Sequence, residues 1–241
     1  MTMWRGPAPY VTICIIVCAA FIGCAHQPMY NPDYMSAQQF DEIARDLLKP
    51  VYPLLAQQIL NDYRIIVGKF LDAGGGAGYL AIELVQRSGL AGTVLDVDPE
   101  AIELARRNVE QVSLSDKIDC VVADAANMPF ADNSFELVVS RGSFPFWDDK
   151  VGGFKEVYRV LKPGGIGFIG GGFGRYLPVQ QRAFIVSELR ARVPGLDVGH
   201  IPRLKIAKIL HKAGIEDYAI LRDAPPQLTC PCQIWIEIHK P

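Results

Sequence analysis

The sequence predicts an α/β protein whose mostly parallel, seven-stranded sheet is covered by helices on both faces. Short apolar, β-rich runs alternate with helical runs along most of the chain, which is the pattern of parallel strands joined by crossover helices. Recognisable helix starts and stops separate these runs. Near the C-terminus two strand-like runs follow each other without a helix, which predicts an antiparallel C-terminal hairpin on the sheet.

Seven strand-like runs support this topology. The strands predicted to be parallel are Ile65–Asp72, Thr93–Asp96, Ile118–Val122, Phe135–Ser140 and Ile166–Ile169, and those predicted for the hairpin are Asp217–Leu221 and Gln233–His239. The predicted helices are an amphipathic one over 40–48, then Val51–Leu60, Tyr79–Arg87, Pro99–Val109, Lys150–Leu161 and Arg203–Lys212.

Local signals fix several of these boundaries. Asp98, Pro99 and Glu100 supply an N-cap side chain, a proline at the first helical position and an acid in the first turn. The Pro-Gly-Gly at 163–165 ends one helix and turns the chain into the next strand, and Gly214 ends the last helix.

Composition excludes two classes of protein. The chain has 24 Lys+Arg against 26 Asp+Glu and a formal net charge of -2, so no basic surface for nucleic acid is predicted. Half of the residues are apolar and 21% are charged, which excludes a disordered chain. No repeat, linker or charge block interrupts residues 36–241, so we expect a single domain there.

The cysteines predict no metal centre. Cys120 precedes two valines in a predicted strand and is expected to pack as a small apolar side chain. Cys230 and Cys232 flank a proline without a third or fourth ligand nearby, which is a weak metal signal, and packing at a sheet edge is favoured.

A glycine-rich loop gives the strongest functional signal. The first predicted strand ends at Asp72 and runs into glycines at 74, 75, 76 and 78, followed by a helix. Glycines there allow the backbone to approach a ligand at the carboxyl end of the strand, beside the helix N-terminus. A dinucleotide fingerprint beginning at Gly74 would require glycine at 79, where the chain has Tyr79, so a nicotinamide cofactor is disfavoured.

Acidic residues end the next two predicted strands. Asp96 is placed to accept hydrogen bonds from the vicinal hydroxyls of a ribose. The alternative for Asp96 is a helix cap, but Asp98 already fills that role. Asp124 is placed to accept from the exocyclic amine of an adenine, with a turn residue as the alternative.

Four ordered segments carry a family resemblance. LDAGGGAGYL, VLDVDPEAIELARRN, VVADAANMPFADNSFELVVS and FKEVYRVLKPGG together resemble the class I S-adenosylmethionine-dependent methyltransferases, in particular the ubiquinone/menaquinone C-methyltransferase-like branch. The resemblance covers about residues 40–169 and implies a three-layer Rossmann-like sandwich with S-adenosylmethionine as cofactor. It places the glycines beside the methionyl part, Asp72 beside the amino group, Asp96 at the ribose and Asp124 at the adenine. The expected cofactor-binding residues are Asp72, Gly74, Gly76, Gly78, Asp96, Asp124, Ala125 and Ser140.

The segment after the fourth predicted strand, 140–149, is expected to face the transferred methyl group. The substrate-side candidates are Arg141, Ser143, Trp147 and, farther along the chain, His200. Arg141 is expected either to bind an anionic substrate or to pair with Asp148, with the ion pair slightly favoured. The aromatic residues of this segment, Trp147 among them, line a pocket or pack in the core. The long stretch 173–200 is predicted to cover the substrate.

The resemblance predicts an enzyme that transfers a methyl group from S-adenosylmethionine to a small-molecule acceptor. One alternative is a membrane-tethered module that binds the cofactor without turnover. A nicotinamide-dependent oxidoreductase is a weaker alternative because of Tyr79.

The N-terminus differs from the rest of the chain. Arg5 is the only charge before Asp33 and an apolar run spans 11–22, so residues 1–24 resemble a signal, with Cys24 placed like the acylated cysteine of a lipoprotein. A helix over 10–23 would reach about 21 Å, short of a bilayer core of roughly 30 Å. Residues 25–35 would be a polar tether.

Two other interpretations of this leader stay open. In the first, the leader spans the membrane. In the second, translation starts at Met29 or Met35 and the protein is cytoplasmic. Because S-adenosylmethionine is made inside the cell, we expect membrane association through the leader with the catalytic domain on the cytosolic side.

Overall fold

A computed structural model describes residues 35–193, 201–223 and 234–241. Seven α-helices, one short 3-10 helix (Phe144–Phe146) and seven strands are described. The helices are α1 (Ala37–Asp46), α2 (Val51–Tyr63), α3 (Tyr79–Gln86), α4 (Pro99–Gln111), α5 (Lys150–Val160), α6 (Val179–Arg192) and α7 (Arg203–Lys212). The strands are β1 (Val67–Ala73), β2 (Gly89–Asp96), β3 (Ile118–Val122), β4 (Phe135–Arg141), β5 (Leu161–Gly170), β6 (Tyr218–Arg222) and β7 (Ile234–His239).

All seven described strands form one sheet in the order β3-β2-β1-β4-β5-β7-β6. Strands β1 to β5 pair in parallel, whereas β7 is antiparallel to both β5 and β6. The predicted fold class and the antiparallel C-terminal pair are therefore confirmed. The strand order reverses between β1 and β4, and such a reversal opens a crevice at the carboxyl ends of the strands.

Alternating side chains of the central strands form a core on each face of the sheet. Phe70, Leu137 and Phe168 contribute to the cluster that is completed by helices α2, α3 and α4. Their neighbours Leu71 and Val138 point the other way, into the cluster that α5 and α7 complete. The strands are therefore buried on both faces, which explains their nearly continuous apolar sequences.

Two strands begin earlier than predicted. Strand β2 starts at Gly89 instead of Thr93, because it stays paired with β1 along its whole length. Gly92 in this added part lies close to β1, where an added Cβ would be 2.4 Å from the Phe70 ring. Strand β5 starts directly after α5, and the predicted stop at 163–165 lies inside it. Its register against β4 shifts there, from Phe135 opposite Leu161 to Leu137 opposite Ile166.

Helix α6 lies in the stretch 173–200, for which no helix was predicted. Only Arg182 and Ile185 on this helix are buried, so it lacks the wide apolar stripe that sequence reasoning requires. The predicted N-cap of α4 is present, with Asp98 accepting from the N–H of Glu100 at 2.8 Å.

Several predictions fall on residues that lie outside the described ranges. They are the leader over 1–24, the tether except for Met35, His200, Cys230 and Cys232. Within the ranges that the structure describes, no helix is both long and apolar enough to cross a membrane.

Candidate functional site

A cavity of about 540 Å³ lies at the carboxyl ends of the parallel strands. Residues that follow β1, β2, β3, β4 and β5 all contribute to its wall. Helices α1 and α6 also contribute residues to the lining of the cavity. The volume lies within the range of roughly 300–1,000 Å³ that is usual for small-molecule sites.

The glycine loop after β1 forms one edge of the cavity. Gly74, Gly76 and Gly78 all have positive φ, at 69°, 53° and 80°, which favours glycine. An added Cβ at Gly74 would lie 2.3 Å from the side chain of Ser143, so a larger residue would displace the wall after β4. An added Cβ at Gly76 would meet no atom within 4 Å, so this part of the loop faces open space.

Asp96 at the end of β2 is tied to that loop. One carboxylate oxygen accepts from the N–H of Gly76 at 2.9 Å and the other accepts from the N–H of Asp98 at 3.1 Å. Burial raises the pKa of Asp96, and these N–H donors oppose that shift by stabilising the charged form. A carboxylate offers about four acceptor positions, so Asp96 keeps acceptor capacity toward the cavity.

Asp72 at the end of β1 lies beneath the same loop and is 2% exposed. An added Cβ at Gly75 would lie 2.8 Å from its carboxyl carbon, so glycine is required for this close approach. Burial, followed by repulsion from Asp96, raises the pKa of Asp72 to about 7. The positive charge of Arg141 and a hydrogen bond from the N–H of Ala81 oppose this rise. Asp72 is therefore poised to ionise when a cation enters the cavity.

The end of β3 supplies a third carboxylate. Asp124 is exposed and lines the cavity, and its Oδ1 accepts from the N–H of Ala126 at 2.8 Å. Ala125 beside it is buried and also lines the cavity. The three acids thus follow three neighbouring strands of one sheet, with an apolar surface beside the third.

The wall after β4 is built on a hydrogen-bonded hydroxyl. Ser143 Oγ donates to the carbonyl of Ala73 at 2.8 Å, lies 2.6 Å from Ser140 Oγ, and accepts from Trp147 Nε1 at 3.1 Å. A hydroxyl has one donor and two acceptor positions, so Ser143 is saturated by these partners. Ser143 and Trp147 line the cavity, but their polar atoms hold the β4 wall against the end of β1.

Two aromatic residues of this segment, Phe144 and Trp147, pack in the core. Both are buried, and the Trp147 ring lies against Phe154, with the two centroids 5.6 Å apart. An added Cβ at Gly153 would lie 2.4 Å from the Trp147 ring. Trp147 therefore combines core packing with a position in the cavity wall, so the two alternatives for it do not exclude each other.

Arg141 does not form the ion pair with Asp148 that the sequence slightly favoured. Among the described residues neither a salt bridge nor a hydrogen bond joins Arg141 to any partner. Its guanidinium instead lies over two rings, 5.5 Å from the Tyr52 centroid and 5.7 Å from that of Phe173. Tertiary packing explains this position of Arg141, because α2 and the segment after β5 bring the two rings to the end of β4.

Helix α1 contributes polar residues that the sequence did not identify. Asp41 is 5% exposed, accepts from Tyr79 Oη at 2.8 Å and pairs with Arg45 at 3.3 Å. Burial and the bond to Asp41 raise the pKa of Tyr79, whose ring also stacks on Tyr52 at 5.4 Å. The amphipathic spacing at 40–48 indicated an apolar face on this helix, but not that the face covers a cavity.

The structure brings most of the predicted site residues together. Of the eight predicted cofactor-binding residues, six line the cavity: Asp72, Gly74, Gly76, Asp96, Asp124 and Ala125. Gly78 acts as the N-cap of α3 and Ser140 is buried behind the wall, and neither lines the cavity. The substrate-side candidates Arg141, Ser143 and Trp147 line it as well.

Sequence comparisons place the chain among known proteins. A methyltransferase-domain family model matches residues 71–169. A ubiquinone/menaquinone biosynthesis C-methyltransferase from Geotalea daltonii is 37% identical over 100 residues, which is 41% of this chain and 43% of the relative. A chloroplastic 2-methyl-6-phytyl-1,4-hydroquinone methyltransferase from Oryza sativa subsp. japonica is 36% identical over 61% of this chain and 37% of its own length. The chain thus matches less than half of the length of both curated relatives.

A solved structure extends the comparison over nearly the whole chain. The crystal structure of a protein from Methanococcus maripaludis, assigned as an S-adenosyl-L-methionine-dependent methyltransferase, is 32% identical with a TM-score of 0.76. The match covers 90% of this chain and 97% of that one. This match, together with the fold, places the chain among the S-adenosylmethionine-dependent methyltransferases of the Rossmann-like class. The chain belongs to this family, whose cofactor is S-adenosylmethionine.

Proposed function

We propose that the protein transfers a methyl group from S-adenosylmethionine to a small-molecule acceptor. The observation that carries the proposal is the cavity in which the glycine loop and three strand-end carboxylates meet the β4 wall. The acids Asp72, Asp96 and Asp124 complement a cationic ligand with ribose hydroxyls and an amino-substituted base. This donor and acceptor set fits the family's cofactor.

The chain offers a separate group for each part of that cofactor. Asp96 would accept from the ribose hydroxyls with the acceptor positions that Gly76 and Asp98 leave free. Asp124 would accept from the adenine amine beside the apolar surface of Ala125. Asp72 would lie beneath the methionyl amino group. The positive charge of that group would lower the raised pKa of Asp72 and favour the ionised carboxylate.

The acceptor would occupy the part of the cavity between the β4 wall and helices α1 and α6. When bound, S-adenosylmethionine supplies an activated methyl group and leaves as S-adenosylhomocysteine. The chain's contribution is to position the acceptor and exclude water, because in-line transfer depends strongly on alignment. Ser143 has no free donor to offer, so we assign it to holding the wall rather than to proton transfer.

The lining of this part supports an apolar acceptor. Apolar side chains from α1, from the turn after it and from α6 line this part, namely Phe40, Ile43, Ala44, Leu48, Val186 and Leu189. The names of the two curated relatives point to quinone biosynthesis and to a phytyl hydroquinone. We therefore infer that a small apolar or aromatic molecule is methylated.

A turnover assay tests this function. The purified protein is incubated with methyl-labelled S-adenosylmethionine and a panel of hydroquinones, phenols and aromatic acids, and S-adenosylhomocysteine release is measured. We expect acceptor-dependent release that is lost in Asp96→Ala. Binding of S-adenosylhomocysteine without release on any acceptor would instead support a binding module without turnover.

For the N-terminus we propose that the catalytic domain works on the cytosolic side, where the cofactor is made. We propose that the leader at 1–24 is either an inefficient membrane anchor or is not translated, so that the domain after it stays in the cytosol. Mass spectrometry of the native N-terminus distinguishes an acylated Cys24 from translation that starts at Met29 or Met35. An acylated Cys24 on protein that external protease can digest would contradict the cytosolic placement.

A further inference from the structure

Arg141 at the end of β4 is a cation whose hydrogen-bonding groups are unused within the described chain. Its Nε is buried and has no hydrogen-bond partner, and no carboxylate among the described residues lies within salt-bridge distance. A buried N–H without a partner is unfavourable, so such groups normally find a protein partner, a water molecule or a ligand. Arg141 lines the cavity, which makes a ligand in the cavity an available partner.

Two aromatic rings lie close to the guanidinium of Arg141, whose buried Nε has no hydrogen-bond partner. The rings of Tyr52 and Phe173 lie 5.5 Å and 5.7 Å from its central carbon, within the range of cation–π contacts. Such contacts orient a guanidinium while its N–H groups, which lie in the guanidinium plane, remain available. The cavity-lining residues on α1 and α6 are apolar except for Asp41, which is paired with Arg45, and the exposed Arg190.

The position of Arg141 favours the acceptor as the source of the ligand. The glycine loop and the acids Asp96 and Asp124 follow β1, β2 and β3 on one side of the crevice. Arg141 ends β4, and Phe173 follows β5, on the other side of it. A planar fork of donors in an apolar setting matches a carboxylate better than any neutral group, because both bonds are charge-assisted.

We propose that Arg141 binds a carboxylate carried by the methyl acceptor, and that the acceptor is therefore an apolar or aromatic acid. This inference rests on the proposed function, since it assigns the acceptor's chemical class. An anion held there also complements the positive sulfonium that the cofactor brings to the cavity. Arg141 acts as a specificity-determining residue, with Tyr52 and Phe173 as the residues that position it.

Binding of matched acid and amide probes tests the proposal. The probes are benzoate with benzamide and 4-phenylbutyrate with 4-phenylbutyramide, titrated by calorimetry or NMR into protein saturated with S-adenosylhomocysteine. We expect each acid to bind the unmodified protein about tenfold or more tightly than its amide, the lower end for a charge-assisted pair. The preference should fall below about twofold in Arg141→Met and be intermediate in Arg141→Lys, because lysine lacks the fork.

A matched control separates a local contact from general attraction. Arg190 on α6 is the other arginine among the described cavity-lining residues, and it is exposed. Arg190→Gln removes the same charge and should retain the preference for acids. Loss of the preference in Arg190→Gln to the same extent as in Arg141→Met would overturn the proposal.

Two further results would overturn the proposed role of Arg141. Equal binding of acid and amide to the unmodified protein overturns the proposal without any variant, so it stays testable even if Arg141→Met does not fold. A preference that survives in Arg141→Met, together with weakened S-adenosylhomocysteine binding, would assign Arg141 to the cofactor's own carboxylate and overturn it. Failure of the proposed function is detected by a different result, namely that S-adenosylhomocysteine does not bind the unmodified protein. In that case the preference for acids over amides is measured without S-adenosylhomocysteine.

Discussion

At the scale of single residues, the strand-end carboxylates have different environments and therefore different properties. Asp124 is exposed, Asp96 is held by two backbone N–H donors, and Asp72 is buried with a pKa raised to about 7. The environments of Asp96 and Asp124 suit them to accept hydrogen bonds, whereas that of Asp72 makes its ionisation sensitive to a nearby charge.

Replacing Asp96 tests the ribose contact. We expect Asp96→Ala to weaken S-adenosylhomocysteine binding by about 1.5–3 kcal/mol, the range for hydrogen bonds to a charged group, and Asp96→Asn to weaken it less. Isothermal titration calorimetry measures this change. Asp98→Ala is the comparison variant, because it removes the α4 cap and a neighbouring cavity-lining carboxylate but leaves the Asp96 side chain in place. It should lower the free energy of unfolding by about 0.5–2 kcal/mol and affect binding less. Unchanged affinity in Asp96→Ala would remove Asp96 from the site.

The raised pKa of Asp72 predicts a pH dependence. The folded pKa of about 7 lies above the ordinary aspartate value of 3.8, so the folded chain binds this proton more tightly than the unfolded chain. Asp72 therefore adds stability that is fully present below about pH 4 and is lost as pH rises through about 7. Compared with Asp72→Asn, the unmodified protein should lose free energy of unfolding between pH 5 and 7, measured by urea titration.

Cofactor binding should show the opposite trend at Asp72. A cationic ligand favours the ionised carboxylate, so S-adenosylmethionine affinity should increase by up to about tenfold per pH unit below pH 7 and level off above it. Calorimetry in buffers of different ionisation enthalpy should detect proton release near pH 6. Identical pH profiles for the unmodified protein and Asp72→Asn would show that another group is responsible.

At the scale of elements, a buried ion pair fixes α6 above the cavity. Arg182 on α6 lies 3.1 Å from Asp223, and both side chains are almost fully buried. Asp223 also accepts from the N–H groups of Phe173 and Gly174, so one carboxylate joins α6, the loop after β5 and the end of β6. This loop places the Phe173 ring over Arg141. The glycine-rich segment at 170–174 is explained in part by this packing, since an added Cβ at Gly172 would lie 2.3 Å from Asp223.

Breaking that pair should be costly. Arg182→Met leaves Asp223 buried without its counter-ion, and we expect a loss of about 3–5 kcal/mol in the free energy of unfolding. The double variant with Asp223→Asn should be less destabilised than the sum of the single variants. Urea unfolding measures these differences. Arg192→Gln on the same helix disrupts an exposed pair with Glu188 and should cost no more than about 1 kcal/mol; an equal loss in both single variants would contradict the role of burial.

At the scale of the whole molecule, the site exists because five parallel strands end at one edge of the sheet. The reversal of strand order between β1 and β4 separates the connections that leave these strands and opens the crevice. Helices α1 and α6 also line this crevice. A ligand held there contacts several elements at once and should stabilise the entire described domain.

Ligand-induced stabilisation tests this expectation and the choice of cofactor. At a hundredfold excess over its Kd, S-adenosylhomocysteine should add about 2.7 kcal/mol, which raises the Tm of a domain of this size by roughly 5–10 °C. Differential scanning calorimetry measures the shift. NADH at the same concentration should leave the Tm unchanged, and a comparable rise with NADH would revive the oxidoreductase alternative.

Much of this protein is determined locally by its sequence. Alternating strand and helix runs predicted the mostly parallel sheet with its antiparallel C-terminal pair, and caps such as Asp98 predicted element boundaries. These signals depend on residues within a few positions of each other. The glycine loop and the acids after β1, β2 and β3 were also predictable, since parallel strands bring their carboxyl ends to one edge. Whether those residues bind the cofactor stays a prediction that the variants above test.

Only the tertiary structure decided how the rest of the cavity is made. The Asp41–Tyr79 hydrogen bond joins residues 38 positions apart, and the rings around Arg141 come from α2 and from the segment after β5. The expected Arg141–Asp148 pair is absent among the described residues, because proximity in sequence did not place the two side chains together. Helix α6 was missed because a few buried contacts and one ion pair hold it, rather than an apolar stripe. Each of these features depends on contacts between distant segments, which no local pattern in the sequence encodes.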